Sequence, residues 1–505
     1  MADDETRLED ELWKLCNKLR PKMEAAEYKH VILRIYSLYA LTDIYHNKPK
    51  RDVKMPDGTL WENVYENVIK KSEEEANLEK SEDDEDLYVT GKYLDGIMKK
   101  IADQNDRIRG CFPPVFTRLR VDGGTLKSLM AGFNNSFANK DPGLIYQFLL
   151  KKFAEAEGRG GGEFFTPECI LDLMVRILDF GEDDVIYEPC FGAGSMIVAC
   201  HKHAMKKSNT DNQVIQFYGQ EANATNYQIG KVHLFLEGIE ADLRLGDTLN
   251  QDAFKDNPRA TGAIANPPFN LKNWAEPRLL AIDEDGNPLD NRWSWGMPPE
   301  GNANFAWMQL INHQVAEGEK KSNGVVFSNG TLTNRDADSI RKKMVGEAVP
   351  GLIITLPTKL FTNTPIPSVI WFNRGKSELR KNQTLFIDCR RKGRMKKGSR
   401  VQSELLDEEI DEIVDVWEIW TGKKEGKYTD IPGFCKSATI SEIEMKEFLM
   451  TPGRYAGPPP LPEDDEPFEE KMERLLGQIS RHFTTSDELE KQIRESIGGM
   501  GFEFE

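Results

Sequence analysis

The tetrapeptide Asn266-Pro267-Pro268-Phe269 directly follows the short apolar run Ala263-Ile264-Ala265. Each proline fixes φ and removes a backbone donor. Pro267 also keeps Asn266 out of the helical region. The result is a rigid turn that presents the Asn266 side chain and the Pro267 carbonyl at a strand end. An exocyclic amino group is a poor nucleophile, because its lone pair is delocalised into the ring. The Asn266 side-chain oxygen and the Pro267 carbonyl, placed on its two hydrogens, favour a more tetrahedral nitrogen aimed at a methyl donor. That chemistry needs positioning and electrostatics, not a strong base. Phe269 supplies a ring on which a flipped base can stack. A turn of this composition also ends strands that have no chemical role, and by itself it leaves the acceptor nitrogen open.

Three upstream segments bear on the donor. Glu188-Pro189-Cys190-Phe191-Gly192-Ala193-Gly194-Ser195 follows a short apolar run and opens a helical pattern. Gly192 and Gly194 let the backbone turn tightly, and the helix start offers unpaired N–H groups. Glu221 ends the next strand-like run, where a doubly wound fold holds ribose hydroxyls. The glycine pattern is incomplete for a pyrophosphate, so a nucleoside cofactor such as S-adenosylmethionine fits better than a dinucleotide. Asp247, in Leu245-Gly246-Asp247-Thr248, sits where a carboxylate accepts from an adenine amino group. An exposed aspartate in a turn is the alternative reading.

These residues need a sheet to bring them together. Strand-length runs are expected at 185–187, 215–219, 263–265, 324–328, 351–356, 369–373 and 384–388, with helical patterns between most of them. That alternation predicts a mostly parallel, doubly wound α/β sheet. Residues 5–47 and the stretch to about 155 carry helical spacing, with an acidic patch at 72–86 read as a solvated loop or helix face. The division is a helical domain over 1–140, a catalytic domain over 141–450, and a linker with one or two C-terminal amphipathic helices over 451–505.

The formal net charge is -18. A chain that grips DNA alone needs clustered Lys and Arg, so a nucleic-acid substrate would require another subunit for most of the grip. The basic run 390–400 is either a phosphate contact or an exposed loop. The seven cysteines form no CxxC pair, and the histidines form no HxxxH or HExxH arrangement, so no metal site and no disulfide framework is expected. No apolar run of membrane-spanning length and no signal-like start is visible, which predicts a cytoplasmic protein without a membrane partner.

Several longer motifs stand beside the tetrapeptide: GGEFFTPE at 161–168, EPCFGAGS at 188–195, WGMPPEGNANFAWMQ at 295–309, NGVVFSNGTL at 323–332, ITLPTKLFTNTPIPSVIWF at 354–372 and LFIDCR at 385–390. With the tail from Thr451, they make the chain resemble the modification (methyltransferase) subunit of type I restriction–modification systems along nearly its whole length. The resemblance implies a Rossmann-like S-adenosylmethionine-dependent methyltransferase sheet that methylates adenine N6 in double-stranded DNA. It implies that Glu163, Phe164, Phe165 and Thr166 wrap the methionine end of the cofactor, that Glu188, Gly192, Gly194 and Ser195 form the cofactor loop, and that Glu221 holds the ribose. It also implies a specificity subunit, a second methyltransferase subunit and a restriction subunit as partners, with the C-terminal helices docking on the specificity subunit. This chain departs from the family's usual Asp-Pro start and Cys-Gly-Ser-Gly-Gly continuation, with Glu188 opening the loop, Phe191 before Gly192 and Ser195 in a glycine's place. Methyl transfer to protein glutamine or to guanine N2 is a rival reading, although glutamine enzymes usually carry Tyr where Phe269 stands. A cofactor-binding scaffold without turnover is another.

Overall fold

The computed structural model describes residues 13–14, 24–77, 88–134, 140–157, 165–210, 213–257, 259–318, 322–347, 349–361, 367–374, 379–397, 399, 401–459 and 468–499. Glu163 and Phe164 lie outside the described residues, as do most of residues 5–23 and the 78–87 part of the acidic patch.

The chain opens with helices: α1 Ala25–Asn47, α2 Trp61–Ala76, α3 Val89–Gln104, α4 Gly123–Asn134 and α5 Pro142–Glu157. Their apolar faces meet in one core that includes Val31, Ile35, Leu38, Val64, Ile101, Leu126 and Leu149. Helix α5 belongs to this layer, since Tyr146, Leu149 and Phe153 pack among the α1 side chains. Helix α6, Glu168–Leu178, leads into the sheet, with Ile170, Leu173, Met174 and Ile177 buried on one face.

Strands and helices then alternate. They are β1 Val185–Glu188, α7 Ser195–Ser208, β2 Gln216–Glu221, α8 Ala224–Glu237, β3 Asp242–Leu245, β4 Gly262–Ala265, α9 Asn304–Gln314, β5 Ser322–Ser328, α10 Asp338–Gly346, β6 Pro350–Thr355, β7 Ser368–Arg374 and β8 Gln383–Asp388. A small hairpin, β9 Arg394–Met395 with β10 Ser403–Glu404, precedes α11 Asp407–Thr421 and β11 Cys435–Thr439. The main sheet has nine strands in the order β11-β8-β6-β7-β5-β4-β1-β2-β3. Its pairs are parallel except where β7 joins β5 and β6 and where β11 joins β8.

Both faces are covered. Ile186, Ile264 and Val326 point into one core with α6 and α7, while Tyr187, Ala263, Ala265, Val325 and Phe327 point into the other with α9 and α10. That period-two switch explains why these strands read as unbroken apolar runs. The helical layer rests on the sheet domain through Val232, Phe235 and Leu236 of α8. β1 pairs with β2 on one side and β4 on the other. The chain therefore winds outward to β3 and returns across β1, and that reversal opens a crevice at the carboxyl ends of β1 and β4.

Residues 451–457, expected as the start of a linker, pack instead on the sheet domain. After the short helix α12 Ile440–Met445 they form the single-turn helix α13 Gly453–Ala456. The Tyr455 ring lies parallel to Phe386 at 3.8 Å between centroids, an apolar contact that a solvated linker could not make. Residues 458–505 form a separate unit. Its described part is one helix, α14 Phe468–Gly499, with Met472, Leu476, Ile479, Phe483, Leu489 and Ile493 exposed. Among the described residues no helix is long and apolar enough to cross a membrane.

Candidate active site

Two loops leave the sheet at the reversal point. The loop after β1 turns through Gly192 at φ +53° and Gly194 at φ +79°, left-handed values that a Cβ disfavours. It then starts α7 at Ser195. Glu221, at the tip of β2, holds this loop: its carboxylate accepts from the Gly192 N–H at 2.9 Å and from the Asn223 N–H at 2.7 Å. On the far side the Ala193 carbonyl accepts from His233 of α8 at 2.7 Å.

Phe191, the departure before Gly192, has a seat of its own. Its ring lies against Gly219 of β2 and Gly230 of α8; a Cβ built on Gly230 would lie 2.6 Å from the ring and 2.8 Å from the Gly192 carbonyl oxygen. The bulk added at 191 is thus accommodated by missing side chains on two neighbouring elements.

The second loop is Asn266-Pro267-Pro268-Phe269, at the end of β4. The Asn266 side-chain nitrogen donates to the Thr166 hydroxyl at 3.0 Å. Thr166 arrives from the segment just before α6, so a contact spanning the two motifs holds the amide. Phe269 meets Phe361 edge to face at 5.6 Å between centroids.

One cleft lies between these loops. Thr166, Glu188, Gly192, Ser195, Glu221, Asp247, Asn266 and Pro268 line it, and so do Cys190, Met196, Thr248, Leu271 and Trp307. Of the other residues expected at the site, Gly194, Pro267 and Phe269 lie in the same two loops without lining the cleft, and Phe165 adjoins Thr166, half-buried. Asp247 is exposed on the rim, and its carboxylate caps its own turn by accepting from the Leu249 N–H at 3.1 Å and the Asn250 side chain at 2.7 Å. Trp307 and Phe361 escape a reading of the sequence because no spacing rule links them to the tetrapeptide; the indole within Phe305-Ala306-Trp307 is the available signal.

Among the described residues, three buried polar atoms in this cleft have no hydrogen-bond partner: Glu188 Oε2, Ser195 Oγ and Asn266 Oδ1. The Trp307 Nε1 atom is a fourth. A buried polar group left unpaired costs about 1–3 kcal/mol, so four around one cleft call for a polar occupant. A nucleoside with an amino-acid tail supplies hydroxyls, an ammonium and a carboxylate, and this donor set fits S-adenosylmethionine. Burial, and then the nearby Glu221, push the Glu188 carboxyl well above the ordinary glutamate range. Burial raises Glu221 as well. Two such carboxyls in one apolar crevice suit a cationic ligand.

The basic run is spent mostly within the chain. Arg390 pairs with Asp388, Lys392 with Glu412, Arg394 with Glu404 and Lys396 with Glu155. A larger, open cleft lies at the opposite edge of the sheet, around Asp183, Gln216, Asp242 and Ser322, away from both loops.

The strand order with its antiparallel β7, and a cleft at the reversal point between a glycine loop and Asn-Pro-Pro-Phe, define a methyltransferase of the Rossmann-like class. Two family matches narrow this further: the N-6 DNA Methylase family over residues 139–464 and the HsdM N-terminal domain over 8–148. The chain belongs to the N-6 DNA methylase family, as a methylase subunit of the type I restriction–modification kind, and is a DNA methyltransferase. It is 33% identical to the type I restriction enzyme HindI methylase subunit of Haemophilus influenzae, over 82% of this chain and 93% of the relative. It is 29% identical to the MjaIX methylase subunit of Methanocaldococcus jannaschii, over 98% and 91%. The crystal structure of the type I methyltransferase subunit from Streptococcus thermophilus shares the fold, with a TM-score of 0.69 at 19% identity, over 89% of this chain and 99% of that one.

Proposed function

We propose that this chain transfers the methyl group of S-adenosylmethionine to N6 of an adenine swung out of duplex DNA, and that Asn266 is the residue on which the reaction turns. The observation that carries this reading is the Asn266 side-chain oxygen, buried in the cleft with no partner among the described residues while its nitrogen is held by Thr166. An acceptor so placed takes one amino hydrogen of the base, and the Pro267 carbonyl takes the other. The bound cofactor supplies an electrophilic methyl group on a sulfonium. The chain's own residues do the rest. Glu221 takes the ribose hydroxyls, the Gly192–Ser195 loop and Glu188 hold the methionine end together with Glu163, Phe164, Phe165 and Thr166, and Asp247 accepts from the cofactor's adenine. Phe269, braced by Phe361, lies under the flipped base.

The net charge of -18, and the pairing of Arg390, Lys392, Arg394 and Lys396 with carboxylates of this chain, leave little of the basic run to grip phosphates. On this reading a specificity subunit chooses and holds the site and receives the exposed apolar stripe of α14. A second methyltransferase subunit and a restriction subunit complete the assembly in the cytoplasm. The test is to incubate the co-purified complex with duplex DNA and a methyl-labelled donor, then digest and separate the nucleosides. Label on N6-methyladenine supports the reading, and label confined to protein, RNA or cytosine overturns it.

A further inference from the structure

The tetrapeptide does not end its own turn. Directly after Phe269 the chain passes through Asn270 at φ +54°, a left-handed conformation that is costly for most L-residues and that asparagine adopts when its short side chain is hydrogen-bonded. Three side chains hold it. The Asn270 N–H donates to the Asn304 side-chain oxygen at 3.1 Å. The Asn270 side-chain oxygen accepts from Asn302 at 3.0 Å, from Asn304 at 3.1 Å and from the Ser328 hydroxyl at 2.9 Å. Asn304 also donates to the Thr331 hydroxyl at 2.7 Å, and its own N–H donates to the Asn302 side-chain oxygen at 2.9 Å.

Two backbone donors orient the whole network. A backbone N–H can only donate, so the Asn270 N–H makes the facing Asn304 atom an oxygen. The Asn304 N–H does the same for Asn302. Each amide then turns its nitrogen to the Asn270 side chain, which must present oxygen. Asn304 and Ser328 are both 2% exposed, so these bonds are shielded from water. A further backbone bond, Ala303 N–H to the Leu271 carbonyl at 3.0 Å, closes the same loop pair.

We propose that Asn304, at the first turn of α9, is a positioning residue for methyl transfer: it holds the left-handed Asn270 and through it sets where the Pro267 carbonyl and the Phe269 ring stand. This rests on the reading of Asn266-Pro267-Pro268-Phe269 as the catalytic turn. The prolines fix their own φ values but not the exit of the turn. The exit is tied to α9, to the end of β5 and to the segment after it, three elements that the cofactor loop does not use. Trp307, one turn further along α9, and Leu271 line the cleft, but Asn304 does not, and its side-chain bonds go to the exit of the acceptor turn and to Thr331.

The test is a double-mutant cycle on the full complex with saturating cofactor and duplex. In Asn304→Asp a carboxylate keeps the acceptor for the Asn270 N–H but sets a second oxygen against the Asn270 side chain. Its kcat is expected to fall about 30-fold or more, since displacements on the ångström scale at a reacting centre cost about a hundredfold. The equilibrium affinity for S-adenosylmethionine, measured by titration calorimetry, stays within about twofold of wild type in that variant, because the hydrogen bonds it disturbs lie on the acceptor side. Glycine adopts left-handed φ freely, so in an Asn270→Gly background Asn304→Asp is expected to cost less than about fivefold. An equal loss in both backgrounds, an unchanged kcat, or a loss confined to cofactor affinity would overturn the proposal. If Asn304→Asp does not fold, Ser328→Ala removes a single donor to Asn270 and must still lower kcat with cofactor affinity intact; an unchanged kcat there counts against it. Asn266→Ala is run in parallel. Full activity in Asn266→Ala sinks the catalytic reading itself, whereas an inactive Asn266→Ala beside a fully active Asn304→Asp sinks this inference alone.

Discussion

The Asn266 side-chain nitrogen donates to the Thr166 hydroxyl at 3.0 Å, and the amide oxygen is left facing the cleft. Thr166 is 5% exposed and lies a hundred positions earlier in the chain. With the nitrogen held, the oxygen is left as the acceptor. Thr166→Val keeps the shape and removes the partner. Its kcat is expected to fall about tenfold or more, because a misaligned acceptor loses an interaction made in the transition state. Thr166→Ser restores most of the rate. Single-turnover methylation at saturating donor checks this, and a valine variant with wild-type kcat would assign Thr166 to cofactor binding only.

Glu188 gives a pH dependence whose sign follows from its burial. Burial first, and Glu221 second, raise its carboxyl well above the ordinary value. A folded group that holds its proton more tightly than the unfolded chain contributes stability at pH below the unfolded value, and that contribution is lost as pH rises through the raised value. The cofactor-free protein is therefore expected to lose melting temperature through this group from mildly acidic to alkaline pH. Glu188→Gln, which mimics the protonated form, should melt higher than wild type at alkaline pH. A cationic ligand favours the ionised carboxylate, so the same variant should bind S-adenosylmethionine about tenfold more weakly, about 1.4 kcal/mol. Thermal melts and titration calorimetry across pH test both halves; a glutamine variant that melts lower and binds equally well contradicts them.

Phe191 and Gly230 form a pair. Because a Cβ at 230 collides with the Phe191 ring and the Gly192 carbonyl, Gly230→Ala is expected to destabilise the chain by about 1–3 kcal/mol, the usual range for overpacking. It should also weaken cofactor binding, since the displaced oxygen belongs to the loop. Adding Phe191→Leu should recover part of the stability. Chemical denaturation of the single and double variants is the measurement, and purely additive losses would show that the two positions are not coupled.

The exposed stripe on α14 predicts an interface. Phe483 is 68% exposed and Leu476 56%. Unpartnered apolar side chains at helical spacing mark a docking face. Leu476→Asp with Phe483→Asp is expected to release the specificity subunit on gel filtration while leaving cofactor affinity unchanged. Co-elution of the double variant with that subunit would place the contact elsewhere.

How much of this was legible in the sequence depends on burial. β4, β5 and β6 are covered on both faces, and the apolar runs 263–265, 324–328 and 351–356 mark them in the sequence. β3 and β11 are edge strands. Asp242-Leu243-Arg244-Leu245 and Cys435-Lys436-Ser437-Ala438-Thr439 are short and half polar, so β11 was not anticipated and β3 was only implied by Asp247. In the site, the tetrapeptide, the glycine loop and Glu221 were readable because each has a local pattern at a strand end. The Thr166–Asn266 bond and the Asn270–Asn304 network join residues remote in sequence, and no local periodicity encodes them. The start of the expected linker, 451–457, packs on the sheet for a related reason: its proline and glycine are visible in the sequence, but the Phe386 surface that receives Tyr455 is not.

The most direct measurement compares wild type with Asn266→Ala in the complete complex, counting N6-methyladenine per duplex after a single turnover and measuring S-adenosylmethionine affinity on the same preparations. The account predicts methylated adenine in the wild type. In the variant it predicts a loss of about 100- to 1,000-fold, the scale of removing a transition-state donor or acceptor, with the complex assembled and cofactor binding retained. Substantial N6-methyladenine from the Asn266→Ala complex would contradict it.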